Sequence, residues 1–276
     1  MNMTRPNFKV AIIDMNNGAP NQGMRNIFEI LDHYQQRNEV KFSLEVYDTR
    51  KKGEIPDLDH DIYISSGGPG SPHDGEKMKW EKDFFALLDQ IDEHNHINED
   101  KKFVFLICHS FQLGCRKYKL GQVTPRGSNL FGIFPTFLTD AGLNEVIFKG
   151  LPNPVYAVDS RKWQVVQPNL ALFNQKGASI LAIERERENP EQERCIMAIR
   201  FSAYMVGTQF HPEADPIGMK MHFYQEEKKA VIIKNNGVNA YHEMIDQLND
   251  PNKLALTHHT VLPNFLSQAI DYYHTL

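Results

Sequence analysis

Cysteine is scarce in this 276-residue chain. Cys108, Cys115 and Cys195 are an odd number, too few for a disulfide framework. Long apolar runs are missing as well: the most hydrophobic stretch, Phe103 to Cys108, falls far short of the ~20 residues that cross a bilayer, so no membrane association is expected. Basic residues are not in excess. Lys plus Arg number 30 against 35 Asp plus Glu, a net charge of -5, and the lack of a long Lys/Arg run argues against a nucleic-acid partner. From Met1 to Asp14 no apolar segment precedes a small-residue cleavage site, because Asp14 interrupts the one candidate. Internal repeats and low-complexity segments are absent too. With 41% apolar and 24% charged residues, the chain reads as a soluble, cytoplasmic globular protein of one large domain or two small ones.

Short apolar runs alternate with amphipathic stretches through the first half. Phe8–Asp14, Val40–Tyr47, Asp61–Ser66 and Lys102–Cys108 predict strands. Met24–Gln36 and Lys77–Asp92 carry apolar residues at helical spacing. That alternation implies βαβ units and a mainly parallel α/β sheet. From about Phe131 to Gln209 helical periodicity is scarce. Val155–Val158, Trp163–Val166, Ser179–Ile183, Cys195–Phe201 and Tyr204–Gln209 predict hairpins that extend the sheet, with the charge-rich stretch Glu184 to Arg194 as a solvated loop. Beyond His211 helices return, around Lys220–Lys228, Tyr241–Leu248 and Pro263–Tyr273, to cover the sheet, form a lid or make a dimer surface.

Three places carry chemistry. Cys108 ends the most apolar strand and opens a helix, so a sharp turn would expose its sulfur beside a helix N-terminus that favours thiolate. In Gln209-Phe-His211-Pro-Glu213, an imidazole can take the thiol proton while a carboxylate two residues on orients the ring; Pro212 would extend the backbone and put both side chains on one side. Ser66-Gly67-Gly68-Pro69-Gly70 follows a strand, and its glycines allow close backbone approach and N–H donation to a developing oxyanion. Each has an ordinary alternative alone: a core cysteine, a plain His-Pro turn, a surface loop.

Together, in this order and spacing, the three motifs resemble the class I, triad-type glutamine amidotransferases over Val10 to Glu213. The resemblance implies a flavodoxin-like open sheet with helices on both faces, as a domain over residues 1–215; residues 216–276 lie outside it and are expected, from their own helical pattern, to form a C-terminal extension packed on the same domain. It implies Cys108 as nucleophile, His211 as general base and then acid, and Glu213 as its orienting carboxylate. Gly68 and His109 would supply oxyanion-hole N–H groups. Gly70, Gln112, Ser160 and Trp163 would bind the substrate, glutamine or another γ-glutamyl compound, with no cofactor and no metal. The sequence departs from the family pattern at Leu106 and Ser110, two before and two after the cysteine, where small residues, normally Gly, are usual, and at Lys162. Leu106 is expected to alter the elbow or the neighbouring pocket.

Other motifs receive plainer readings. Gly18 and Gly23 share a phosphate-loop spacing, but Met24 replaces the lysine, leaving a loop that rims the site. His94/His96 and His258/His259 lack metal-site companions and are expected in surface loops. Cys115 is expected to pack in the core. Phe223, Tyr224, Val231, Ile232 and Ile233 are expected to cover a sheet face. No synthetase or ATP-binding signature follows, so three function classes stay open: an ammonia-donating glutaminase with a partner synthetase, as in GMP synthase; a free γ-glutamyl amide hydrolase or homoserine-type acyltransferase; and a binding module with an idle triad. A homodimer is equally open.

Overall fold

The computed structural model describes residues 7–186 and 193–276. In chain order its elements are β1 (Asn7–Asp14), α1 (Gln22–Asn38), β2 (Lys41–Asp48), α2 (Thr49–Lys52), β3 (Ile62–Ser65), α3 (Lys79–Ile97), β4 (Phe103–Ile107) and α4 (His109–Tyr118). There follow β5 (Gln122–Leu138), α5 (Asp140–Leu143), a 3-10 turn (Val146–Phe148), β6 (Val155–Val166), α6 (Leu170–Lys176), β7 (Ser179–Glu184), β8 (Ile196–Ser202) and β9 (Met205–Thr208). The extension comprises α7 (Pro216–Phe223), α8 (Glu226–Asn236), α9 (Val238–Asn249), α10 (Leu254–His258) and α11 (Val261–His274).

The strands form one sheet in the order β2-β1-β3-β4-β9-β8-β7-β5-β6. The pairings from β2 through β9 are parallel, and those from β9 to β6 are antiparallel. This is the open flavodoxin-like arrangement with an antiparallel wing and a helical extension. Side-chain alternation sorts each central strand between two cores. Val10, Ile12, Phe103, Phe105 and Ile107 face α1 and α11, while Ala11, Ile13, Val104 and Leu106 face α3 and α4. Strands buried on both faces must be apolar throughout, hence the uninterrupted run in β4. The helix α11 fills the first core with Val261, Phe265, Leu266 and Ala269, so the chain's end is part of the main body. A third, smaller cluster joins α7 and α9 to Ile133 of β5 and Val158 of β6.

Several expectations are corrected. Val155–Val158 and Trp163–Val166 are ends of one continuous strand, β6. The long β5 is absent from the sequence reading because Pro125, Gly127, Gly132 and Pro135 break its pattern. A helix over Lys220–Lys228 is not formed: α7 ends at Phe223 and α8 starts at Glu226. Glu184 is buried at the end of β7, and residues 187–192 of the expected loop lie outside the described residues. His94 and His96 close α3, and His258 is buried in α10 beside His259, which caps that helix; neither pair lies in a surface loop.

Leu106 is fully buried, and its Cδ1 occupies the space a Cβ on Gly114 would need, 2.8 Å away. Gly114 of α4 and Gly207 of β9 thus make room for the Leu106 side chain and backbone, and Leu106 is not among the residues that border the cavity. Leu106→Ala is therefore expected to lower stability by roughly 2–5 kcal/mol in urea denaturation, the cost of emptying a well-packed core position; a loss well below ~1 kcal/mol would place the side chain elsewhere.

Candidate active site

The end of β4 turns abruptly into α4 at Cys108, which holds φ 48° and ψ -96°. A side-chain-bearing residue is strained there. Its N–H donates to Thr208 O at the end of β9 (2.8 Å), and its carbonyl accepts from Gln112 N (3.0 Å). The turn is therefore tied to the neighbouring strand and to the first turn of α4. Ser110 completes the tie. Its hydroxyl donates to Ser66 O at 2.6 Å and lies 2.7 Å from Ser65 Oγ, bonding the helix to the loop after β3 where the family pattern has a glycine.

His211 comes from the segment after β9. Its N–H donates to Val158 O of β6 (2.8 Å), fixing the backbone against a second strand. Through Nδ1 its ring makes a hydrogen bond with Glu213 Oε1 at 2.7 Å, and both His211 and Cys108 border the same space beside Gly67. The two side chains do not meet by extended alternation. Pro212 and Glu213 form a turn in which Ala214 N–H reaches His211 O at 3.3 Å. Burial works against charge on the His211 ring, but the Glu213 carboxylate and the Cys108 sulfur outweigh it and hold its pKa well above the usual histidine range.

These groups face a cavity of about 500 Å³ bordered by Cys108, His211, Gly68, Gly70, Gln112, Ser160 and Trp163. Gly68 lies so close to β1's outgoing loop that a Cβ would sit 2.1 Å from Met15 O, so only glycine fits. The His109 ring is buried outside this lining; as the first residue of α4, its N–H has no acceptor within the helix. Gln112 Nε2 donates to Trp163 O (3.3 Å) and Gln209 Oε1 (2.9 Å), and Gln209 Nε2 lies 3.6 Å from Cys108 Sγ. Glu213 stands behind His211, almost wholly buried.

A family model for class-I glutamine amidotransferases matches residues 24–230. The chain belongs to that family. No curated protein matches the sequence. Among solved structures, the fold resembles a glutamine amidotransferase from Thermotoga maritima, with TM-score 0.65 and 16% identity over 96% of this chain and 98% of that one. A glutamine amido transferase from Methylobacillus flagellatus gives 0.65 and 13% over 96% and 94%. The glutaminase domain of Trypanosoma brucei CTPS with bound acivicin gives 0.60 and 12% over 96% and 94%.

The structure carries features that the motifs did not signal. Gln209, at the end of a segment expected only as strand, sits two before His211 and bonds both Gln112 and Cys108. Asn16, Pro20 and Asn21 bring the loop after β1 to the cavity rim, where it was expected. Val231 and Ile232 of α8 form part of the cavity wall, while Ile232 and Phe223 also pack with Ile133 of β5 and Val158 of β6, on the sheet face where they were expected. Behind Ser160, whose carbonyl lies 3.7 Å from Cys108 Sγ, Arg161 forks onto both oxygens of Asp159 (2.9 Å each) and reaches Glu184 Oε1 at 3.1 Å. This buried pairing ties β6 to Glu184 of β7 where β6 faces Cys108. Burial pushes the Cys195 thiol beside Arg161 up to about 12 and Cys115 well above its usual value, so both stay thiols. Among the described residues there is no group of three or more His, Cys, Asp or Glu side chains able to hold a metal ion, and no helix long and apolar enough to cross a membrane.

The buried His109 ring is pushed down to about 3, first by burial and then by Arg50 and Arg116. In the unfolded chain it titrates near 6.5. The unfolded state therefore takes up a proton that the native state refuses, and stability present above that value is lost as pH falls towards 3. His109→Gln is expected to flatten the fall in melting temperature across this window; an unchanged acid slope would refute it.

Proposed function

We propose that the protein hydrolyses the side-chain amide of glutamine through a γ-glutamyl thioester on Cys108. The observation that carries this reading is the line Cys108–His211–Glu213, with a strained elbow at one end and a 2.7 Å imidazole–carboxylate bond at the other. Cys108 Sγ attacks the amide carbon and gives its proton to His211, which passes it to the leaving nitrogen as ammonia departs. Water then enters, His211 takes one of its protons, and hydroxide adds to the thioester carbonyl to release glutamate and regenerate the thiol. Glu213 holds the ring with Nε2 towards the sulfur and stabilises its charged form. The N–H groups of Gly68 and His109 receive the oxyanion charge. Gly70, Gln112, Ser160 and Trp163 hold the remainder of the substrate. The sequence of steps balances without a cofactor, and a cytoplasmic synthetase subunit is the natural consumer of the ammonia.

A second reading has its own observation. The cavity's size falls within the ~300–1,000 Å³ of sites for drug-sized ligands, and Leu130, Phe131, Val231 and Ile232 give it an apolar side. A γ-glutamyl amide with a bulkier amine, or another acyl group, would use that wall.

Intact-protein mass after incubation with acivicin, the compound held by the Trypanosoma brucei glutaminase domain, separates the two. One adduct on the wild type and none on Cys108→Ala is expected for a glutamine pocket. No adduct, with Cys108 still labelled by iodoacetamide, would transfer the proposal to the second reading.

A further inference from the structure

Within the C-terminal extension, α10 reaches the turn that carries His211 and Glu213. Thr257 and His258, consecutive residues at the end of α10, are both buried. Thr257 Oγ1 donates to Tyr156 O of β6 at 2.7 Å, and His258 Nδ1 lies 2.9 Å from Glu213 O. A carbonyl oxygen only accepts, so His258 carries its proton on Nδ1 and donates. Two residues beyond Tyr156, Val158 O accepts the N–H of His211 (2.8 Å). One short helix thus grips both chain segments whose mutual hydrogen bond places the base.

The grip matters because the Glu213 carboxylate has little else to aim it. Oε1 bonds His211, whereas Oε2 is buried and has no hydrogen-bond partner among the described residues. The turn's own bond, Ala214 N to His211 O, is long at 3.3 Å. The backbone from which this buried side chain starts is held in turn by His258, at the Glu213 carbonyl.

We infer that His258 is a positioning residue of the triad: its Nδ1–H fixes the Glu213 carbonyl, so that the extension sets the geometry of His211 and Glu213. The inference rests on the Cys108–His211–Glu213 reading above. Its chemistry is indirect, since His258 touches neither the cavity nor the sulfur, and it is separable from that of the cavity wall supplied by α8.

Two substitutions divide donor from bulk. His258→Phe keeps a ring and loses the donor, while His258→Asn loses the ring and keeps an N–H near the Nδ1 position. The expected result is a fall in kcat for ammonia release from glutamine of about 10–100-fold in His258→Phe, the scale of a small misplacement of a catalytic group, with KM close to wild type and most of kcat recovered in His258→Asn. Wild-type kcat in a folded His258→Phe, or equal losses in both variants, would overturn the inference. Should His258→Phe fail to fold, His258→Ala with added imidazole replaces it: recovery of kcat is expected, and its absence overturns the role. If the wild type releases no ammonia, the functional reading fails on its own, and the inference is decided by the iodoacetamide alkylation rate of Cys108. Slowing in His258→Phe with recovery in His258→Asn supports it, and equal rates in all three proteins overturn it.

Discussion

The site depends on one backbone conformation, the left-handed φ of Cys108 between β4 and α4. A residue with a side chain stays there only if its surroundings leave it no alternative. Here β4 is buried on both faces, the Cys108 N–H is tied to β9, and Ser110 ties the first turn of α4 to the loop after β3. Each restraint uses a neighbour in the parallel half of the sheet. The same strand order that satisfies the backbone therefore gathers the cysteine, the glycine loop and the histidine segment at the carboxyl ends of β4, β3 and β9, where open α/β sheets place their ligands.

The antiparallel wing and the extension then supply what the parallel half lacks. Strand β6 accepts the His211 N–H at Val158 and faces Cys108 with Ser160, and its neighbouring Asp159 and Arg161 are locked in a buried charge pairing. From the extension come Val261, Phe265 and Leu266 for one core, Val231 and Ile232 for the cavity wall, and Thr257 and His258 behind the catalytic turn. The extension is thus integral to the cavity it borders, although it contributes none of Cys108, His211 and Glu213.

Much of this was legible in the residues. The strands β1, β3 and β4 announce themselves because burial on both faces demands continuous apolar runs, and α1 and α3 because one buried face imposes helical spacing. The glycine loop, Cys108, His211 and Glu213 stand out because each bears a chemical group, or a lack of Cβ, that local structure alone does not require, whereas Gln112 came only with the family resemblance. Strand β5 was hidden by prolines and glycines that a bulged wing strand tolerates. The reach of Leu106 into Gly114, the break at Tyr224 and the bond from His258 to Glu213 were hidden for another reason: each is a contact between segments far apart in sequence or a choice made by tertiary packing, and no local pattern encodes it.

Acid-quenched turnover of glutamine, followed by intact-protein and peptide mass, goes to the heart of the chemistry. A thioester route predicts a γ-glutamyl adduct on the peptide carrying Cys108, sensitive to hydroxylamine, and no ammonia release by Cys108→Ala. Ammonia release that persists undiminished in Cys108→Ala, with no adduct on the wild type, would contradict it.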